Sequence, residues 1–255
     1  MRSAGVVAGH RVFGAATFAF GVVTLALPDY YDWLQLHWGV RDDRVFAYVA
    51  SAAQIVGGAA IQFRWTARAG AAVLGVIYLA IALLSVPRIV AAPHEFYPYG
   101  DFFNEFVLVL GAALAYTSSS PKATTPTIET AARISFAVCA ASFTLYQALY
   151  LDATAHLVPA RVPPSQMFWA VTTTVFLALA TLALVTNRMA LLATRLLTSM
   201  LALFGTVVWV PLIFWNVRNH FYWTEAAETF AIAAAVWVLA DLLRKPAEPR
   251  SNRPR

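Results

Sequence analysis

Two carboxylate pairs in this chain have spacings that place both members on one helix face: Asp101 with Glu105, and Glu225 with Glu228. Residues three or four apart meet on a helical surface. Each pair follows a histidine by a few residues, His94 in one case and His220 in the other. Convergent carboxylates beside imidazole suit a metal, a haem or a polar headgroup. A dedicated metal helix would carry His-x-x-x-His or Glu-x-x-His; neither spacing occurs, so no metal is assigned. The same residues also have a structural use. Acids in a first helical turn are favoured by the macrodipole, and Asp101 and Thr224 have N-cap chemistry.

Glu105 and Glu228 stand out because each sits where a polar turn gives way to a long apolar run. A carboxylate inside a bilayer is costly unless paired or hydrated, which makes it a functional candidate. Arg88 is the expected partner in the first half and Arg218 in the second. Gln54, inside another apolar run, is the remaining polar candidate, with an interhelical hydrogen bond as its structural use. The candidate ligand-binding set is therefore Glu105, Glu228, His94, His220, Asp101, Arg88 and Gln54. No phosphate loop, nucleophile elbow, catalytic triad or Cys-x-x-Cys is present, so no catalytic residue and no cofactor is assigned. Cys139 is the sole cysteine and excludes an intrachain disulfide.

The elements that must position these groups are set by composition. The chain has 255 residues, 60% hydrophobic and 12% charged. A soluble domain carries about 25% charged residues, so the expected solvent is lipid. Charge-free runs cover 12–28, 45–63, 69–87, 106–121, 134–151, 162–187, 196–217 and 229–240. They are continuous and Ala/Leu-rich without period-two alternation, which predicts an all-α integral membrane protein with eight transmembrane helices. The eighth is short unless it begins near Thr224. No span shows a Gly/Pro interruption at mid-membrane, and Pro87 and Pro211 fall at helix ends.

Thirteen of the 18 Lys and Arg residues fall in one set of segments and five in the other, which puts both termini in the cytoplasm. The net charge of +5 resides in short loops and in the tail from Arg244, so it is not a nucleic-acid signal. Ten of the 13 acids and four of the five histidines, His37, His94, His156 and His220, lie on the opposite side with many aromatics.

The chain also repeats itself. Arg11 corresponds to Arg133, Arg64 to Arg188, Pro87 to Pro211, and Glu105 to Glu228, at offsets between 122 and 124. A drift this small predicts an internal duplication. Residues 1–117 form a first four-helix repeat, 118–130 a cytoplasmic linker, 131–243 a second repeat and 244–255 a basic disordered tail. Four helices per repeat is an even number, so the two repeats are parallel. Ala53-x-x-x-Gly57, with Gly58, and Gly111-x-x-x-Ala115 are the expected close-packing sites.

Over about residues 44–116 the first half resembles the DoxX family of four-helix membrane proteins. The resemblance rests on Gln54-Ile55-Val56-Gly57-Gly58, on Arg64-Trp65-Thr66-Ala67-Arg68, and on Pro93-His94. It continues through Phe102-Phe103-Asn104-Glu105-Phe106 to Gly111-Ala112-Ala113-Leu114. The family often has an acid where Gln54 stands, and the second half has Ala178, Thr181 and Leu182 at the positions of Gln54, Gly57 and Gly58. The resemblance implies a bacterial cytoplasmic membrane and links to quinone-coupled redox complexes. The expected function is a non-catalytic subunit that binds a partner or a small apolar, quinone-like molecule at the outer face. A small-solute transporter and a membrane enzyme acting on a lipid-like substrate are the alternatives.

Overall fold

The computed structural model describes residues 8–27, 44–119 and 125–244. His37 and its loop, residues 120–124 of the expected linker and the tail beyond Arg244 lie outside the described residues. The described residues contain helices and no strand. They begin with α1 (Ala8–Ala26), α2 (Arg44–Ile61) and α3 (Ala67–Leu84), followed by the one-and-a-half-turn α4 (Val86–Ala91) and by α5 (Tyr97–Ser118). The second half holds α6 (Pro126–Leu149), the short α7 (Leu151–Leu157), α8 (Gln166–Thr186) and α9 (Ala190–Phe204). A π-helical turn (Gly205–Trp209), α10 (Val210–Trp215) and α11 (His220–Leu243) complete it.

Among the described residues, six helical stretches are long and apolar enough to cross a membrane: Ala8–Ala26, Ala67–Ala91, Pro126–Leu149, Gln166–Thr186, Ala190–Trp215 and His220–Leu243. The expected number was eight. The two that fall short by length and composition are α2, apolar only over Val45–Ile61, and α5, whose first turns carry Pro98, Gly100, Asp101, Asn104 and Glu105. The outward faces agree with a lipid environment. Val76 is 71% exposed, and Val56, Leu179, Leu182 and Leu203 are each about 60% exposed, which water would penalise and hydrocarbon does not. Trp65 sits exposed at one end of the bundle and Phe214 and Trp215 at the other, the levels where aromatic rings anchor a membrane protein.

The helices pack in a ring with a shared wall. In the first half α1 packs on α2, α2 on α3, and α3 on α5. In the second half α6 packs on α8, α8 on α9, and α9 on α11. The halves meet through α1 on α11, α5 on α6, and α5 on α11. Gly111 of α5 lies beside Ala235 of α11, and the carboxylates of Glu105 and Glu228 act on one another, so α5 and α11 run in the same direction. Gly9, at the start of α1, donates its N–H to Asp241 Oδ2 near the end of α11 at 2.8 Å, so α1 runs opposite to that pair.

Small residues sit where the expectation put them. A Cβ on Gly58 would lie 2.5 Å from the Gly14 carbonyl oxygen, and one on Gly57 would meet Leu74 at 2.8 Å. Without a hydrophobic drive between helices in lipid, this backbone approach supplies the packing.

Several boundaries differ from expectation, for local reasons. The polar turn ahead of Glu105 is shorter than expected, because α5 starts at Tyr97 with Pro98 in its first turn. Proline is tolerated there, since its missing N–H would have had no helical partner. Asp101 is therefore not an N-cap but lies one turn inside. Likewise α11 starts at His220, capped by the Asn219 side chain accepting from Phe221 N, and Thr224 is an interior residue bonding back to His220 and Phe221 carbonyls. The first helix of the second half starts at Pro126, five residues before the expected repeat boundary, behind the Thr125 cap. The expectation of uninterrupted spans also needs correction. The Ala67–Ala91 span breaks at Ser85, and the Ala190–Trp215 span passes through the Gly205–Trp209 π-turn.

Candidate functional site

The early turns of α5 and α11 place Glu105 and Glu228 at matching depth. Each lies eight residues inside the start of its helix, Tyr97 in one and His220 in the other. At 1.5 Å per residue that is about 12 Å along the axis. Because α5 and α11 are neighbours running the same way, the two side chains converge between them. Each residue is only 4% exposed.

Two further carboxylates join them. Asp101 stands one turn above Glu105 on α5, and Glu225, half-buried, stands one turn above Glu228 on α11. The charges acting on Glu105 are all of its own sign: Glu228 first, then Asp101 and Glu225. Glu105 Oε2 is buried and has no hydrogen-bond partner among the described residues. The sequence assigned Arg88 to the first-half carboxylates, and it is there. Its guanidinium goes to Asp101 rather than to Glu105, with Nη1 donating to Oδ2 at 2.7 Å. The break at Ser85 makes this possible, since α4 turns Arg88 back towards the second turn of α5. Arg218 is exposed, and in the second half Thr224 stands at the position corresponding to Asp101.

Tyrosines line the outer side of this cluster. Tyr97 and Tyr146 share a hydrogen bond, with ring centroids 5.7 Å apart. The Tyr150 ring lies tilted against Tyr146, with centroids 5.0 Å apart. Gly100 is what lets the Tyr146 ring lie against α5, because a Cβ there would fall 2.6 Å from its Cδ2. Sequence reading passed over Tyr146 and Tyr150. Their spacing of four, at the outer end of the 134–151 run, was a signal that they share a face.

The histidines are at the rim. His94 and His220 are both exposed. Among the described residues no group of three or more His, Cys, Asp or Glu side chains is arranged to hold a metal ion. Gln54 is fully buried and anchors a polar clamp between α1 and α2. The Thr24 hydroxyl donates to Gln54 Oε1 at 3.2 Å, and the Ser51 hydroxyl donates to Thr24 at 2.9 Å. This is the interhelical hydrogen bond expected of it. Between α6 and α8, Gln147 Oε1 accepts from Thr173 and Thr174 at 3.2 and 3.1 Å.

Fold and site together define an all-helical, multi-pass protein with membrane-crossing helices and a buried acidic cluster near one end. Comparison with family models, with curated proteins and with solved structures finds no match to this chain.

Proposed function

We propose that this chain is a DoxX-like integral protein of a bacterial cytoplasmic membrane, with eight spans, built as two parallel four-helix repeats, and with both termini cytoplasmic. Its role is that of a non-catalytic subunit holding a small, largely apolar molecule at the outer membrane face, in a redox membrane complex whose soluble chemistry belongs to a partner. A quinone-like molecule is the occupant that the resemblance suggests. The observation that carries the reading is the pair of deeply buried carboxylates between α5 and α11, beneath a tyrosine rim in a wall of apolar helices.

The duplication is supported by features on both sides of the shared wall. The order of neighbours is the same in each half. The α1–α2 clamp uses Thr24 and Ser51, and residues 123 positions later, Gln147 and Thr174, clamp α6 to α8. The third long helix of each half is irregular just before its proline, Pro87 or Pro211. The excess of Lys and Arg at the end holding Arg64, Arg68 and Arg188 supports the orientation.

A second reading, a small-solute transporter, draws on those irregular helices. Interrupted helices in corresponding positions of two repeats are a known way to build a solute site.

The test is direct. Purify the full chain in mild detergent, record its absorption spectrum and identify extracted small molecules by mass spectrometry, beside a Glu105→Gln, Glu228→Gln double variant. The reading expects a stoichiometric apolar molecule that the variant lacks. An empty protein in both preparations, or a molecule retained equally by both, would overturn it.

A further inference from the structure

We infer that the ligand seat between α5 and α11 is selective for a cation, a protonated amine carried on a small apolar body, with Glu105 as its principal counter-charge. This rests on the ligand-binding reading above and deepens it by naming the chemistry of the ligand's head group.

The first observation is electrostatic. Four carboxylates, Asp101, Glu105, Glu225 and Glu228, face one another across two adjacent helices. Arg88 engages Asp101, the outermost of the α5 pair, and the charges reaching Glu105 are negative. Burial makes like charges repel more strongly than they would in water. A visiting cation relieves that repulsion; a neutral carbonyl compound does not.

The second observation is independent of charge. Glu105 is 96% buried as a residue, being 4% exposed, and its Oε2 accepts no hydrogen bond from any described residue. A buried acceptor without a donor costs free energy that a ligand N–H would recover. To an ionised carboxylate an ammonium supplies both a donor and a compensating charge, and a quinone oxygen supplies neither.

The third is the shape of the approach. Tyr97 at the rim is 46% exposed, Asp101 and Glu225 below it are partly exposed, and Glu105 and Glu228 are at the bottom. The Tyr97 and Tyr146 rings, 5.7 Å apart, stand beside Asp101 and Glu225, and aromatic rings attract cations. The charged and titratable groups that face the seat are Asp101, Glu105 and Tyr97 from α5, and Glu225 and Glu228 from α11. Tyr146 and Tyr150 from α6 and Arg88 from α4 complete the set.

The experiment uses the full chain in nanodiscs of uncharged phosphatidylcholine and measures saturable binding by calorimetry. The probes are benzylamine, the neutral isostere benzyl alcohol, and a short-chain dimethoxy-methyl-benzoquinone. Benzylamine is expected to bind at least about tenfold more tightly than benzyl alcohol, the effect of one charge-assisted hydrogen bond. Glu105→Gln should remove most of that preference, and Glu95→Gln, an exposed acid on the same side, should leave it unchanged. Glu228→Gln serves as a second variant should Glu105→Gln fail to yield a monodisperse protein. Equal binding of amine and alcohol, or an amine preference that survives the seat variants, would overturn the inference. Saturable quinone binding without amine binding would overturn it and leave the quinone-like reading standing. No saturable binding of any probe would overturn both.

Discussion

Gly111 of α5 rests directly against Ala235 of α11: a Cβ on the glycine would lie 2.7 Å from the alanine Cβ and 3.0 Å from Phe13 Cε2 of α1. One small residue therefore lets mid-chain α5 share a line of contact with α1 and α11, from the two ends of the described chain. The same closeness brings Glu105, about two turns towards the outer end of α5, to face the acids of α11. Packing and site are consequences of one approach distance.

Gly111→Ala should loosen that wall. The inserted methyl has no space, and overpacking of this kind costs about 1–3 kcal/mol. Gly75→Ala is the matched control, because its Cβ would meet only Ala112 Cβ at 3.8 Å. Helix propensity should make that variant neutral or more stable by about 0.5–1 kcal/mol. Thermal unfolding in detergent reads both, and equal effects of the two substitutions would contradict the packing argument.

Removing one member of the Arg88–Asp101 pair should cost more than removing both. The side chains are 13% and 15% exposed, so a single change strands a mostly buried charge. Arg88→Met or Asp101→Leu alone should destabilise by about 2–4 kcal/mol, with the double variant closer to the parent. Additive losses in the double-mutant cycle would show that the two groups act separately.

Glu105→Leu should raise stability. The substitution removes a buried acceptor with no partner and its repulsion with three neighbouring carboxylates, and the gain should be about 1–3 kcal/mol. Ligand binding should be lost in the same variant. A fall in unfolding temperature would indicate that the carboxylate is structural.

Thr24→Val should weaken the α1–α2 contact by about 1 kcal/mol, in the range of interhelical hydrogen bonds inside membranes. Thr172→Val, where the exposed hydroxyl bonds to Phe168 O of its own helix, should change nothing measurable. Identical melting of the two would mean that the Thr24–Gln54–Ser51 clamp carries no stability.

The α-helical membrane plan was legible because lipid imposes it. Continuous apolar runs between charged residues can be satisfied in hydrocarbon only as helices, so composition alone predicted them. Helix starts were less legible. Asp101 and Thr224 have cap chemistry, yet Pro98 and Asn219 start their helices a turn earlier, which shifts both residues inward. Competing local signals of similar strength decide such boundaries, by energies of about 1 kcal/mol.

Of the site, residue types were visible and partners were not. Glu105, Glu228, Asp101 and Arg88 were all named from spacing and position. That Arg88 goes to Asp101 depends on the turn of α4 after Ser85. That Tyr146 reaches the cluster depends on Gly100 admitting its ring.

The sequence by itself determined that the chain is helical, lipid-embedded and acidic at one end, because these follow from hydropathy and charge summed along short windows. Which acids meet was decided by tertiary structure. The contact of α5 with α11 joins residues more than a hundred positions apart, and only the close approach at Gly111 and Ala235 brings their carboxylates within reach of each other.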